Sequence, residues 1–409
     1  MTGNQSLLKR INRMALVRLI KAEPGLSRVE LARRTGLTKA TVGLLVQELI
    51  GEGWLCQSEP SGGGGVGRRP VPLALDGRRV GLLGAEIGVD YLNVVACDLR
   101  GERVWSRRVS YRAGEVGRAV RRVGALLGKA HSALRREGRR ALGVGVGVPG
   151  AVDVRDGTLR FAPNLGWHDV ELGPPLRDAL RAEGCGELPV QVLNEANAAA
   201  LSEYVFGEAP PTGPLVYLSM GIGLGAGVVL GDRLYLGHDG LAGEVGHTIL
   251  QRRGPPCACG RRGCAEAFIS QRAVSRCVTG RDAPVLAIEE LARRVARREP
   301  AAVRGATQAG EYLGLLLQNV GNTFNPAVVV LGGPLCQLGD VFRKTALRAM
   351  AANAGRYDYH RGSVRLCRFG LDACAIGAAA SVFQDFLTEV APGGGRAVEA
   401  AGLPRREVG

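Results

Sequence analysis

The 409-residue chain predicts an α/β fold preceded by a small helical head. Three observations carry that expectation. From Val80 onward, short apolar strand-like runs interleave with longer segments of helical periodicity, the pattern of layered strands and helices. Before Val80, two short helical patterns meet at a glycine, each opened by a hydroxyl residue suited to capping. Within residues 243–266, one histidine and three cysteines converge on the metal-ligand spacing of a braced loop.

The head reads as follows. Residues 7–22 place Leu7, Leu8, Ile11, Met14, Ala15, Val17, Leu19 and Ile20 at helical spacing, and Pro24-Gly25 stops the helix. Ser27, three residues before Glu30, forms a capping box and opens a short helix to Thr35. Gly36 makes the turn, and Thr38 caps a second helix to about Gly51. Ala32 and Gly36 are small where the two helices are expected to cross, with Leu31, Leu37, Val42, Leu45 and Leu49 as the shared core. This is a helix-turn-helix pattern; an ordinary helical hairpin is the alternative, and the small residues at the crossing with the basic charge favour DNA binding. Two short strands follow, around the tip S-G-G-G-G-V-G-R-R-P. They read as a wing whose Arg68 and Arg69 would meet phosphates or a minor groove; a flexible linker is the alternative. Thr38, Lys39, Thr41 and Gln47 are the candidates for base-edge or phosphate contact on the second helix.

Beyond the head, residues 81–96 and 103–111 read as a strand pair, 115–136 as an amphipathic helix and 141–148 as a glycine-alternating strand. A helix over 195–206 precedes strands at 215–218 and 225–230. Helices at 288–297 and 301–319, a strand at 327–331 and a last helix near 377–387 complete the pattern, with no internal repeat. The glycine-rich, charged tail after Ala391 is expected to be disordered.

Hydrophobic content of 46% and charge of 22% are those of a globular protein. The formal charge of +15 points to an anionic partner. Residues 1–80 hold 13 Lys/Arg against 6 Asp/Glu, a net of +7, so the head is the more basic part per residue. The start M-T-G-N-Q-S-L-L-K-R has no apolar core of a signal peptide, and glycines at 221, 223, 225 and 227 break the uncharged stretch 213–231. With cysteines otherwise scattered, the expected location is the cytoplasm. His247, Cys257, Cys259 and Cys264 make a closed tetrahedral set suited to Zn²⁺. Four protein ligands leave no position for water, so the zinc is expected to be structural. Gly260 and Gly263 let the chain bend around it.

The G-E-V-G-H run followed by C-A-C-G-R-R-G-C-A-E resembles the signature of the ROK family of sugar kinases and sugar-responsive repressors. The resemblance extends over about residues 1–390. It implies a two-lobe actin-like (ribonuclease H-like) ATPase fold with an N-terminal winged helix-turn-helix domain and sugar held between the lobes. The implied domains are the head at 1–78, a first lobe at 79–200 completed by a helix at 372–389, a second lobe at 201–371 carrying the zinc loop, and a tail at 390–409. Positions matching those that line the sugar in the family are Asn164, Asn194, Glu195, Glu244, His247 and Glu266. Singly, Asn194 reads as a helix cap, Asn164 as a turn residue and Glu244 as half of a surface pair.

Two departures from the family's kinases predict that this chain is not an enzyme. Where those kinases read N-D-A-N, Glu195 replaces the aspartate that accepts the sugar proton. The extra methylene displaces the carboxylate, and about 1 Å of misplacement costs roughly 10²-fold. Where kinases carry D-x-G-G-T, this chain reads Glu86-Ile87-Gly88-Val89-Asp90, putting a branched side chain and a negative charge where phosphates would lie. The expectation is therefore a sugar-responsive repressor bound to double-stranded operator DNA, as a homodimer or tetramer. The E-I-G-V-D and N-E-A-N variants resemble those of xylose-type repressors in the family, which makes a pentose such as xylose the first candidate. An ATP-dependent hexose kinase, glucokinase-like, is the alternative, and a repressor released by a partner protein is the third.

Overall fold

The computed structural model describes residues 2–58, 71–112, 114–207, 213–280, 283–354 and 364–388. The wing tip with Arg68 and Arg69, and the tail at 390–409, lie outside the described residues.

The head contains helices α1 (Thr2–Ala22), α2 (Arg28–Thr35) and α3 (Lys39–Gly51) and the antiparallel pair β1 (Leu55–Gln57) and β2 (Leu73–Leu75). Its capping box is formed: the Ser27 amide donates to Glu30 Oε2 at 2.8 Å, and the Glu30 amide donates to Ser27 Oγ at 3.4 Å. Thr38 Oγ1 accepts from the Thr41 amide at 3.1 Å. Gly36 makes the turn that the sequence predicts but departs from the expected close crossing. It sits at φ +71° with open space beside its Cα, so it serves the left-handed cap of α2 and not a close helix crossing.

Residues 81–96 also require correction, because they form two strands, not one. β3 (Val80–Ile87) and β4 (Tyr91–Asp98) reverse at Gly88-Val89-Asp90 and are followed by β5 (Arg103–Ser110). Both β3 and β4 are buried nearly throughout, so no polar alternation marked the turn between them. Helix α4 (Val116–Arg136), β6 (Arg140–Val148), the small antiparallel sheet β7 (Ala151–Asp153), β8 (Thr158–Ala162) and β9 (Trp167–Glu171), helix α5 (Gly173–Ala182) and β10 (Val190–Asn194) follow. The second half contains α6 (Glu195–Phe206), β11 (Leu215–Met220), β12 (Leu224–Leu230), β13 (Arg233–Leu234), α7 (Gln271–Thr279), α8 (Ile288–Ala296), α9 (Pro300–Phe324), β14 (Val328–Gly332), α10 (Asp340–Ala352), β15 (Val364–Leu366) and α11 (Ala373–Thr388).

The two large sheets share one topology. The first runs β5-β4-β3-β6-β10 and the second β13-β12-β11-β14-β15. In each, the first three strands along the chain are antiparallel and the last two join in parallel. The chain is thus duplicated in fold without a visible sequence repeat, because a buried apolar pattern specifies strand order without specifying residue identity.

Helices α6 and α11 lie between the sheets, and glycines seat them. A methyl group at Gly84 of β3 or Gly145 of β6 would overlap the carbonyl oxygens of Ala375 and Ala378 in α11. One at Gly227 of β12 would overlap the Ala196 carbonyl of α6, and one at Gly377 of α11 the Ala198 carbonyl of α6. The glycine alternation of residues 141–148 therefore records how closely α11 approaches the sheet.

The head is built into this core. Leu16, Val17, Ile20, Leu49, Trp54 and Leu73 belong to one apolar cluster with Leu82, Val95, Ala375, Ile376 and Phe383. Trp54, 1% exposed, stacks on Phe386 with centroids 4.6 Å apart and on Phe383 at 6.3 Å. Lys21 at the end of α1 stands 5.7 Å over the Tyr204 ring of α6, and the Tyr204 hydroxyl is 2.5 Å from Asp232 Oδ1 in the β12–β13 turn. Head, α6 and second sheet meet at that point.

Gly377→Ala is expected to force α6 and α11 apart and lower stability by about 1–3 kcal/mol. Urea unfolding monitored by tryptophan fluorescence checks this; an unchanged midpoint would mean that the crossing tolerates a methyl.

Candidate functional site

Between the sheets lies a cleft whose walls include Glu86, Val89, Asp90, Tyr91, Arg108, Asn164, Glu195, Ser219, Gly223 and Gln271. The backbone places Glu195 there because it is the first residue of α6, directly after the cap. Asn194 Oδ1 accepts from the amides of Ala196 (2.8 Å) and Asn197 (3.2 Å), while its Nδ2 donates to the Gly150 carbonyl at 2.9 Å. Asn194 is thereby committed to starting α6 and fixing it to the β6–β7 turn. Its contribution to the cleft is the position of Glu195.

Glu195 is held among acids. Burial first, then the charges of Glu86, Glu266 and Glu244, raise its carboxyl from 4.5 to about 8. Glu86, 4% exposed at the end of β3, is raised to about 7, chiefly by burial. The Tyr91 hydroxyl donates to Glu86 Oε1, while Glu86 Oε2 has no protein partner. The Arg108 guanidinium stacks 3.5 Å from the centre of the Tyr91 ring. Gly88 lies directly beneath that ring, where a methyl would strike it. Tyr91 and Arg108 are cleft residues that the sequence did not single out, and Glu86 entered there only as part of the E-I-G-V-D run. Glu86 carried a signal, since a carboxylate inside the apolar run V-G-L-L-G-A-E-I needs a reason to be buried. Arg108 carried none, because exposed arginines are frequent along β5.

The loop bearing the cysteines closes one side of the cleft. The ligand atoms of His247, Cys257, Cys259 and Cys264 all lie within 4.8 Å of one another. Cys259 Sγ and Cys264 Sγ are 3.7 Å apart, as are Cys257 Sγ and His247 Nδ1. Zn–S bonds of about 2.3 Å give a tetrahedral edge of about 3.8 Å, so the set has the dimensions of a metal centre. Gly263 is at φ +75°, and a side chain there would also overlap the Gln251 carbonyl oxygen. From this loop Glu266 reaches inward: its Oε2 accepts from the Leu224 amide at 3.0 Å, and its Oε1 is 3.7 Å from Cys257 Sγ. Asn164 and Glu266 line a recess beside Cys257. Glu244 is exposed, with its carboxylate 3.8 Å from His247 Nε2. Asn164, Glu195, Glu244, His247 and Glu266, drawn from four separate stretches of chain, thus come to one neighbourhood.

In the head, Lys39 and Gln47 are exposed on α3. Thr38 is exposed with its hydroxyl bonded to the Thr41 amide and 2.9 Å from the Thr41 hydroxyl. Leu44, 69% exposed on the same helix, was not among the residues singled out from the sequence.

A profile of the ROK family matches residues 82–385, and one of winged helix-turn-helix DNA-binding domains matches residues 9–55. The chain belongs to the ROK family. A xylose repressor of Caldicellulosiruptor bescii is 30% identical over 400 residues, covering 94% of this chain and 98% of that protein. A ROK transcriptional regulator, described as a homologue of the E. coli MLC protein, superposes with a TM-score of 0.74 at 25% identity over 94% of this chain and 99% of that one. A glucokinase of Streptomyces coelicolor is 34% identical over 223 residues, which is 50% of this chain and 68% of the enzyme. The similarity to the regulators includes the head, whereas the glucokinase covers half of this chain. Among the described residues no helix is long and apolar enough to cross a membrane.

A carboxyl raised from 4.5 to about 8 contributes stability that is complete below pH 4.5 and is lost as pH rises through about 8. Glu195→Gln removes that loss. The variant's Tm minus that of the parent is expected to grow steadily from pH 5 to pH 9. A difference independent of pH would place an ordinary ionised carboxylate at Glu195.

Proposed function

We propose that this chain is a sugar-responsive transcriptional repressor that binds operator DNA through its head and a sugar in the cleft. The observation that carries the reading is the course of α6. It starts at Glu195 in the cleft, crosses α11, and ends in the apolar cluster that contains Trp54 of the head.

The cleft offers the right chemistry for a neutral polyol. Asn164, Glu195 and Glu266 present acceptors and an amide, and a carboxyl that keeps its proton near neutral pH donates as well as accepts. Glu86 Oε2 supplies a further acceptor without a protein partner. Xylose is the first candidate, supported by the name of the C. bescii relative. Zn²⁺ fits the His247, Cys257, Cys259 and Cys264 set and would act by holding Glu266 and Glu244 in place. Thr38, Lys39, Thr41 and Gln47, with Arg68 and Arg69 of the wing, are the proposed DNA contacts. The protein would work in the cytoplasm as a homodimer, with two heads on two half-sites. Sugar and operator then share one coupling energy, of about 1–3 kcal/mol, and each weakens the other equally.

The similarity to a glucokinase favours an ATP-dependent hexose kinase as the second reading. Against it stand Glu195 in place of the family's aspartate and the crowding of the β3–β4 turn. Val89, Asp90 and the Tyr91–Arg108 stack line the wall where phosphates would approach.

Calorimetric titration of zinc-loaded protein with Mg²⁺–ATP, with and without a panel of sugars, separates the two readings. The expected result is one-site binding of a sugar and no ATP binding in either condition. One-site ATP binding would put the kinase first.

A further inference from the structure

Helix α3 contains a glycine that the fold does not require. Gly43 stands mid-helix, and a methyl group added to it would meet nothing within 4 Å. Its backbone is helical and not in the left-handed region, so no turn demands it. The same helix buries Val42, Leu45, Val46 and Leu49 against the head's core, which leaves Gly43 off the packed face. A helical glycine of this kind weakens its helix relative to alanine without any return inside the protein.

The outer face around it is correspondingly bare. Lys39, Ala40, Leu44 and Gln47 are all exposed, at the one-turn spacings that put them on one side of α3. Leu44 is 69% exposed, the most exposed large apolar side chain among the described residues. The missing side chain at Gly43 beside Ala40 and Leu44 leaves a shallow apolar notch. Lys39 stands at its N-terminal end and Gln47 one turn further on. Helix-turn-helix proteins present the N-terminal half of this helix to base edges.

We propose that the Gly43–Leu44 notch receives the 5-methyl group of a thymine in the operator major groove. Gly43 lets the helix backbone approach the base pair, and Leu44 covers the methyl. The proposal rests on the operator-binding role of the head and adds to it the base chemistry that the helix reads. Thymine is the base that offers a methyl group in the major groove, and apolar side chains are its partners there. The primary amide of Gln47 matches the N6 and N7 edge of adenine, so the half-site is rich in A·T pairs where α3 enters. The basic residues Arg28 and Arg33 of α2 and Lys39 of α3 favour a polyanion over an apolar protein partner.

The test uses the full-length protein and a pool of random DNA duplexes, from which bound sequences are selected. Each thymine of the selected duplex is then replaced by uracil, which removes only the methyl, and binding is followed by fluorescence anisotropy. One thymine per half-site is expected to weaken binding about four-fold when replaced, the worth of one apolar carbon removed from water. Leu44→Ala is expected to bind more weakly and to lose the distinction between thymine and uracil at that position. Gly43→Ala is expected to raise Tm and weaken DNA binding together, a pair of signs that a structural role for the glycine would not produce. A uracil scan without effect would overturn the notch, as would a Gly43→Ala variant that gains stability and keeps its affinity. If Leu44→Ala instead alters the oligomeric state without DNA, the face is a protein interface and the proposal falls. Failure to select any duplex would remove the operator-binding reading itself, and the notch with it.

Discussion

The crossing of α6 over α11, where Gly377 meets the carbonyl of Ala198, is the contact on which the rest of the structure depends. Two helices can approach so closely only if small residues line both, and the sequences E-A-N-A-A-A-L-S and A-C-A-I-G-A-A-A-S provide them. The sheets answer with glycines at 84, 145 and 227 beneath the helices. Dense packing of this kind transmits displacement, because no void is available to absorb it. Helix α6 runs from Glu195 to Phe206, Phe206 stacks on Phe383, and Phe383 and Phe386 stack on Trp54, a continuous packed route from cleft to head. The head shares its core with these helices and is not a bead on a tether.

The cleft holds free energy of the opposite kind. Glu86 is buried and Glu195 half-buried beside it, both with raised affinity for protons, and one Glu86 oxygen lacks a protein partner. A fold selected for stability alone would have replaced these acids with apolar residues. Their retention is understandable if a ligand rich in hydroxyls completes their hydrogen bonds. The cysteine loop serves the same end from the other lobe: its fixed geometry holds Glu266 against the Leu224 amide and beside Asn164.

Much of this was legible in the sequence where local chemistry decides the outcome. The Ser27–Glu30 box, the Thr38 cap and the start of α6 at Glu195 follow from hydrogen bonds between residues close in the chain. The cysteine cluster was legible because its ligands lie within eighteen residues. The β3–β4 reversal was not, since both strands are buried and lack alternation. Strands β7, β8 and β9 are only three to five residues long and without clean alternation, so only their pairing partners define them. Helices α5 and α7 are amphipathic but span only ten and nine residues, too few turns for a periodic pattern to stand out, and α10 carries a weaker pattern. Gly36 was legible as the turn but not as uninvolved in the helix crossing, because its smallness suits both roles. Arg108 over Tyr91 depends on the register between β4 and β5, which no local signal supplies.

Hydrogen–deuterium exchange of the full-length protein, with and without the sugar that binds it, tests the central claim most directly. If α6 and α11 carry the cleft's state to the head, amides along 195–206, 373–388 and 54–57 change protection together on sugar binding. Protection confined to the cleft walls, with 54–57 and α3 unchanged, would contradict the account and leave the head uncoupled from the sugar.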